Sequence, residues 1–173
     1  MPKKLNLGCG KNILKGYINV DITKSDGVDI VLDANKVPYP FKHKYFDEIL
    51  SVNCIEHLSI DTDLLMKELH RILKPGGKLL IRVPHYTNPS SYFTQHKKVF
   101  SSKSFDGYIK NFCYDFHYNF SFSKLEKKID FVRGLTSIYN VFIEWLANRN
   151  ILLYESTPLS LFPAKGIWFT LIK

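Results

Sequence analysis

Apolar residues in this chain come in short runs separated by polar, glycine-bearing turns, and two longer stretches carry helical spacing. Lys4 to Leu7 reads as an opening strand, Tyr17 to Asp21 as a second and Val28 to Leu32 as a third, followed by the breaker Pro38-Tyr39-Pro40. Phe46 to Val52 reads as a fourth strand. Leu65, Leu69, Ile72 and Leu73 then fall at i, i+4, i+7 and i+8, which predicts an amphipathic helix capped by Ser59 or Asp61 and stopped by Pro75-Gly76-Gly77. Lys78 to Val83 follows as a fifth strand. Strands alternating with helical spacing predict an α/β fold built on a doubly wound, mostly parallel sheet. Only residues 11–16 separate the first two strands, too few for a full crossover helix, so the first helix is expected to be short or missing.

The second half reads differently. Twelve of the 25 aromatic residues and three of the six histidines lie between Pro84 and Phe122. That segment is too long for an ordinary loop, so residues 84–124 are expected to carry structure of their own. Ser102 to Asn111 can form a short helix, and Tyr114, Phe116, Tyr118, Phe120 and Phe122 alternate with polar residues as in a half-buried strand. Leu125 to Val132 reads as a further strand and Ile167 to Ile172 as the closing one. Between them Ile138, Val141, Phe142, Trp145 and Leu146 show helical spacing, and this face is expected to pack on the sheet. A membrane-surface helix is the alternative, but Asn140, Glu144 and Asn148 give a neutral-to-acidic polar face unlike that of a basic interfacial helix.

The chemistry concentrates at the first turn. Leu5-Asn6-Leu7 leads into Gly8-Cys9-Gly10, and the second strand closes on Asp21. Glycines let backbone approach a ligand closely, and a carboxylate at the neighbouring strand end can accept from both hydroxyls of a ribose. A dinucleotide site wants a third glycine and an acid about 20 residues on, and neither is present. A triphosphate cradle wants Gly-Lys-Ser/Thr, also missing. A nucleoside ligand without a pyrophosphate remains, and S-adenosylmethionine fits. Asp33, ending the third run, can accept from an adenine amino group or serve as a turn cap.

Composition narrows the setting. At 173 residues the chain is the size of a single domain, 1–173. It starts Met1-Pro2-Lys3-Lys4 without an apolar leader and has no run long enough to span a bilayer, so a cytoplasmic protein is expected. Cys9, Cys54 and Cys113 are odd in number and lack metal-ligand spacing, which supports neither a disulfide framework nor a zinc site. The net charge of +8 is compatible with acidic partners, but the lysines are dispersed and read more readily as a solvated surface.

Five segments in order resemble the signatures of class I S-adenosylmethionine-dependent methyltransferases, above all the small type 11 group. They are Leu5 to Gly10, Ile18 to Asp21, Phe46 to Ile49, Glu56-His57-Leu58, and Glu68 to Gly77. The resemblance implies a Rossmann-like seven-stranded sheet with a reversed last strand. It also implies a cofactor held by Gly8, Cys9, Gly10, Asp21, Asp33 and Asn53. Pro84-His85-Tyr86, Gln95-His96-Lys97-Lys98 and Ser104-Phe105 are similar to a substrate-side segment in a subset of that group, making Tyr86 and His96 candidates for substrate contact. His57, His85 and His96 are the candidate bases, since imidazole titrates near neutrality.

The resulting expectation is methyl transfer to a small-molecule or sugar-like acceptor. A module that only retains S-adenosylmethionine or S-adenosylhomocysteine is the alternative. A nucleic-acid amino methyltransferase is disfavoured because Ser51-Val52-Asn53-Cys54 lacks the Asn/Asp-Pro-Pro-aromatic grip on a target amine. The thin wall beside the first turn is one that a second copy of the chain can cover, as a homodimer.

Overall fold

A computed structural model of the chain describes residues 2–110, 119–133 and 139–173. Seven strands form one sheet: β1 (Lys4–Leu7), β2 (Ile18–Asp21), β3 (Ile30–Val31), β4 (Phe46–Val52), β5 (Leu73–Val83), β6 (Lys124–Asp130) and β7 (Gly166–Ile172). Their order is β3-β2-β1-β4-β5-β7-β6. The β3 to β5 side is parallel throughout, and β7 runs antiparallel to both neighbours. The expected α/β sheet with a reversed last strand is the one observed.

Helix α1 (Thr62–Ile72) buries Leu65, Met66, Leu69 and Ile72 against the sheet, and Asp61 caps it by accepting from the amides of Asp63 (2.9 Å) and Leu64 (3.2 Å). Leu73, read from the sequence as part of the helical stripe, is instead the first residue of β5 and pairs with Phe46. Strand β5 therefore includes Pro75-Gly76-Gly77 rather than starting after them.

No α-helix forms between β1 and β2. Two paired asparagines close that wall instead. Asn6 on β1 and Asn19 on β2 stand in register and are buried, with Asn6 Nδ2 donating to Asn19 Oδ1 (2.9 Å) and to the Asn12 carbonyl (2.8 Å). Asn19 Oδ1 also accepts from the Leu14 amide (2.9 Å). The loop is thus fastened by side-chain amides doing the work that helix packing does elsewhere, since buried backbone must find partners.

Helix α2 (Tyr139–Arg149) is present but turned over relative to the sequence expectation. Val141, Phe142 and Trp145 are exposed, Leu146 is half-buried, and the buried face is Asn140, Ile143, Glu144 and Ala147. Ile138 lies outside the described residues. The reason is the sheet edge. Strand β6 ends the sheet, so the outward backbone of Ile129 has no strand beside it. Asn148 supplies both partners, accepting from the Ile129 amide and donating to its carbonyl, each at 2.8 Å. Asn140 Nδ2 donates to the Val132 carbonyl (2.8 Å) and Glu144 Oε2 accepts from the Phe131 amide (3.3 Å). A polar helix face can cover an edge strand where an apolar face would leave its backbone unpaired.

The short helix α3 (Ile151–Ser156) follows. Within 84–124, the helix expected over 102–111 is only a 3-10 turn, Asp106–Tyr108. Most of the strand expected over 114–123 lies outside the described residues, with Phe122 bridging to Ile109.

Candidate active site

The sheet order reverses direction between β1 and β4, and the carboxyl ends of β1, β2, β3 and β4 open there onto a cavity of about 380 Å³. Gly8, Gly10, Asp21, Asp33, Asn35, Asn53, Cys54 and His57 are among its lining residues. Ligands of open α/β sheets sit at such switch points. Five of the six cofactor residues expected from the sequence come together here; Cys9 does not line the cavity and its side chain is buried.

The first turn is shaped for close approach. Gly8 (φ 69°) and Gly10 (φ 51°) both occupy the left-handed region, and the amides of Gly8 and Cys9 both donate to the Val20 carbonyl at 2.8 and 3.0 Å. A Cβ on Gly8 would stand 2.5 Å from the Cβ of Cys54. Asp21 Oδ2 accepts from the Gly10 amide (2.8 Å) and Oδ1 from the Thr23 amide (3.0 Å), which holds the carboxylate at the rim. Asp33 Oδ1 accepts from the amide and side chain of Asn35 (3.0 and 3.1 Å), the turn-cap geometry, while the residue also lines the cavity. Those hydrogen bonds, the backbone one first, hold its carboxyl below the usual range.

Asn53 sits at φ 50°, a conformation that asparagine tolerates better than most residues. Its Oδ1 accepts from Arg82 Nη1 (2.7 Å), and Arg82 Nη2 reaches Asp130 Oδ2 (2.9 Å). The chain Asp130, Arg82, Asn53 runs across the sheet to the cavity, and Gly166 leaves room for the guanidinium. Asn35 Oδ1 accepts from the amides of Ser59 (2.7 Å) and Ile60 (3.1 Å), tying the loop after β3 to the loop after β4. Sequence reasoning singled out none of Asn35, Arg82 and Asp130, because each acts through a partner distant in the chain.

The histidines separate. His57 lines the cavity and stacks edge-to-face on His96, with centroids 4.6 Å apart. Glu56, beside them, is 1% exposed, and burial pushes its carboxyl up to about 7. It stands within the Glu56-His57-Leu58 signature, where a carboxylate between Ile55 and His57 is the local signal for it. His85, expected among the bases, is fully buried with both ring nitrogens engaged, Nδ1 at 2.8 Å from Thr87 Oγ1 and Nε2 at 2.9 Å from Glu155 Oε1. It ties the segment after β5 to α3 and does not reach the cavity. Tyr86, expected at the substrate, donates its hydroxyl to the Glu155 carbonyl (3.2 Å) in the same network. Burial raises the Cys9 thiol, and pushes Cys54 up to about 12, so neither is a thiolate nucleophile. Cys113 lies outside the described residues.

A methyltransferase-domain family profile matches residues 18–81. Over 66 residues the chain is 36% identical to the probable tRNA methyltransferase 9B of Bos taurus, covering 37% of this chain and 14% of that protein. Over 43 residues it is 44% identical to phosphoethanolamine N-methyltransferase 2 of Caenorhabditis elegans, covering 25% of this chain and 10% of that one. The chain thus spans a small part of the length of these curated relatives. A SAM-dependent methyltransferase structure from Archaeoglobus fulgidus superposes with a TM-score of 0.65 over 99% of this chain and 86% of that one, at 18% identity. The chain is thus similar to methyltransferase domains over residues 18–81 and shares the fold of a SAM-dependent methyltransferase structure.

Proposed function

We propose that the cavity at the switch point binds S-adenosylmethionine and that the chain transfers its methyl group to a small-molecule acceptor bearing a hydroxyl or amine. The observation that carries this reading is the convergence of Gly8, Gly10, Asp21, Asp33 and Asn53 on one cavity. The groups present fit the cofactor: close-approach backbone at Gly8, a rim carboxylate at Asp21 for ribose hydroxyls, and Asp33 for an adenine amino group. When bound, S-adenosylmethionine would supply a methyl group already activated by its sulfonium sulfur. Side chains then have to orient the acceptor, exclude water and take its proton. On this reading His57, which lines the cavity, and His96 beside it are the candidates for that last task, and the segment over 84–124, which carries His96, forms the acceptor side.

The matched relatives include a tRNA methyltransferase and a phosphoethanolamine methyltransferase by name. We favour the small acceptor because the strand-four end, Ser51 to Cys54, lacks the proline-bearing grip on a base amine. Calorimetry with S-adenosylhomocysteine should give saturable one-to-one binding, weakened by Asp21→Ala by about 1–3 kcal/mol, through loss of hydrogen bonds to a charged acceptor. Unchanged affinity would remove Asp21 from the site. Radiolabelled methyl transfer to pooled metabolites should label the small-molecule fraction. Label confined to a tRNA pool would replace the acceptor class, and binding without any labelled acceptor would favour a retained-ligand module.

A further inference from the structure

Glu56 has both carboxylate oxygens sealed from solvent, and neither has a hydrogen-bond partner. His96 Nδ1 is also buried and unpartnered. Buried polar atoms left unpaired are costly, and two such residues side by side ask for an occupant. One ligand atom each from Glu56, His57 and His96 lies within 4.8 Å of the other two, and among the described residues this is the one such grouping. We propose that these three side chains form a binding site for a first-row divalent transition-metal ion at the edge of the cofactor cavity.

The backbone is built to bring the three together. Glu56 and His57 stand on the 3-10 turn Ile55–His57 that follows β4. The Glu56 carbonyl accepts from the amides of both Lys97 (2.7 Å) and Lys98 (3.3 Å), which sets His96 directly beside the turn. Lys98 Nζ locks the same junction by donating to the carbonyls of Leu58 (2.6 Å) and Ile60 (2.7 Å). His57 Nδ1 lies 3.4 Å from the Gln95 carbonyl, the type of outer partner that orients a ligating imidazole. Donors around a tetrahedral ion with bonds of about 2.1 Å sit about 3.4 Å apart, so the ligand atoms, within 4.8 Å of one another, need to close by at most about 1.4 Å.

Two imidazoles and one carboxylate suit zinc, iron(II), cobalt or manganese better than magnesium or calcium, which prefer all-oxygen shells. Three protein ligands leave coordination positions open, and His57 lines the cavity. On the methyl-transfer reading, which this role rests on, the ion would hold an acceptor oxygen next to the reacting methyl. Metal binding itself requires no cofactor.

Chelator-stripped protein titrated with Co²⁺ should take up one equivalent with visible d–d absorption, and Zn²⁺ should displace it. His57→Ala and His96→Ala should each weaken Co²⁺ by about tenfold or more, as should Glu56→Gln, while the exposed His43→Ala should not. His57 is exposed, so its variant keeps the test available if substitution of buried Glu56 unfolds the chain, which circular dichroism reports. Absence of uptake, or uptake undiminished in both His57→Ala and His96→Ala, would overturn the site and leave an acid–base cluster. Calorimetry with S-adenosylhomocysteine on the same samples keeps the two readings apart: its failure alongside intact Co²⁺ uptake would strike the cofactor assignment only.

Discussion

Gly8 and Gly10 share a left-handed backbone but are glycine for different reasons. At Gly10 an added Cβ meets nothing within 4 Å, so only the backbone conformation excludes a side chain. At Gly8 the added carbon also runs into Cys54 Sγ and Cβ. Gly10→Ala should therefore cost about 1–2 kcal/mol, and Gly8→Ala about 3 kcal/mol or more once a clash against the packed β4 end is added. Urea midpoints read the difference. Cys54→Ala should not rescue Gly8→Ala, because the Cys54 Cβ remains in place; full rescue would mean the turn relaxes away from β4. The sequence displayed both glycines equally, and only the neighbouring strand distinguishes them.

Among the elements, α2 teaches most about periodicity. Ile138, Val141, Phe142, Trp145 and Leu146 have helical spacing, but so do Asn140, Ile143, Glu144 and Ala147, and spacing alone does not say which set turns inward. The sheet edge decides, since Ile129 in β6 and Phe131 and Val132 just beyond it need hydrogen-bond partners, which Asn148, Glu144 and Asn140 supply. Asn148→Ala should destabilise by about 2 kcal/mol, because it strips partners from both backbone groups of Ile129. Phe142→Ser, on the exposed face, should stay within about 0.5 kcal/mol. The reverse ranking in chemical denaturation would restore the apolar face to the core.

At the scale of the molecule, the switch point between β1 and β4 gathers residues from four strand ends, while His70, far from it, contributes to the pH response. His70 lies between Phe120 and Phe122, and burial, reinforced by the Lys173 charge, brings its imidazole down to about 4. An unfolded histidine titrates near 6.5, so the unfolded chain binds the proton first. Stability from neutral His70 is present above about 6.5 and is lost as pH falls towards 4. Glu56, raised towards 7, acts with the opposite sign, so the comparison must be between wild type and His70→Gln. The variant should lose less stability between pH 7 and 4.5 in thermal melts; parallel curves would mean His70 is solvated. The loop that replaces the crossover helix is pinned within the chain by Asn6 and Asn19. No helix among the described residues is long and apolar enough to cross a membrane.

The sequence by itself determined the parallel half of the sheet, helix α1 and the glycine-acid pair at the first turn. Those signals are local: short apolar runs, a capped 3.6-residue stripe, and turn residues adjacent in the chain. Tertiary structure decided which face of α2 is buried, that His85 is a buried tie rather than a base, and that Glu56 meets His96. Each of these depends on segments brought together only when the sheet closes, with backbone groups at its edge and rim demanding partners that no stretch of sequence names.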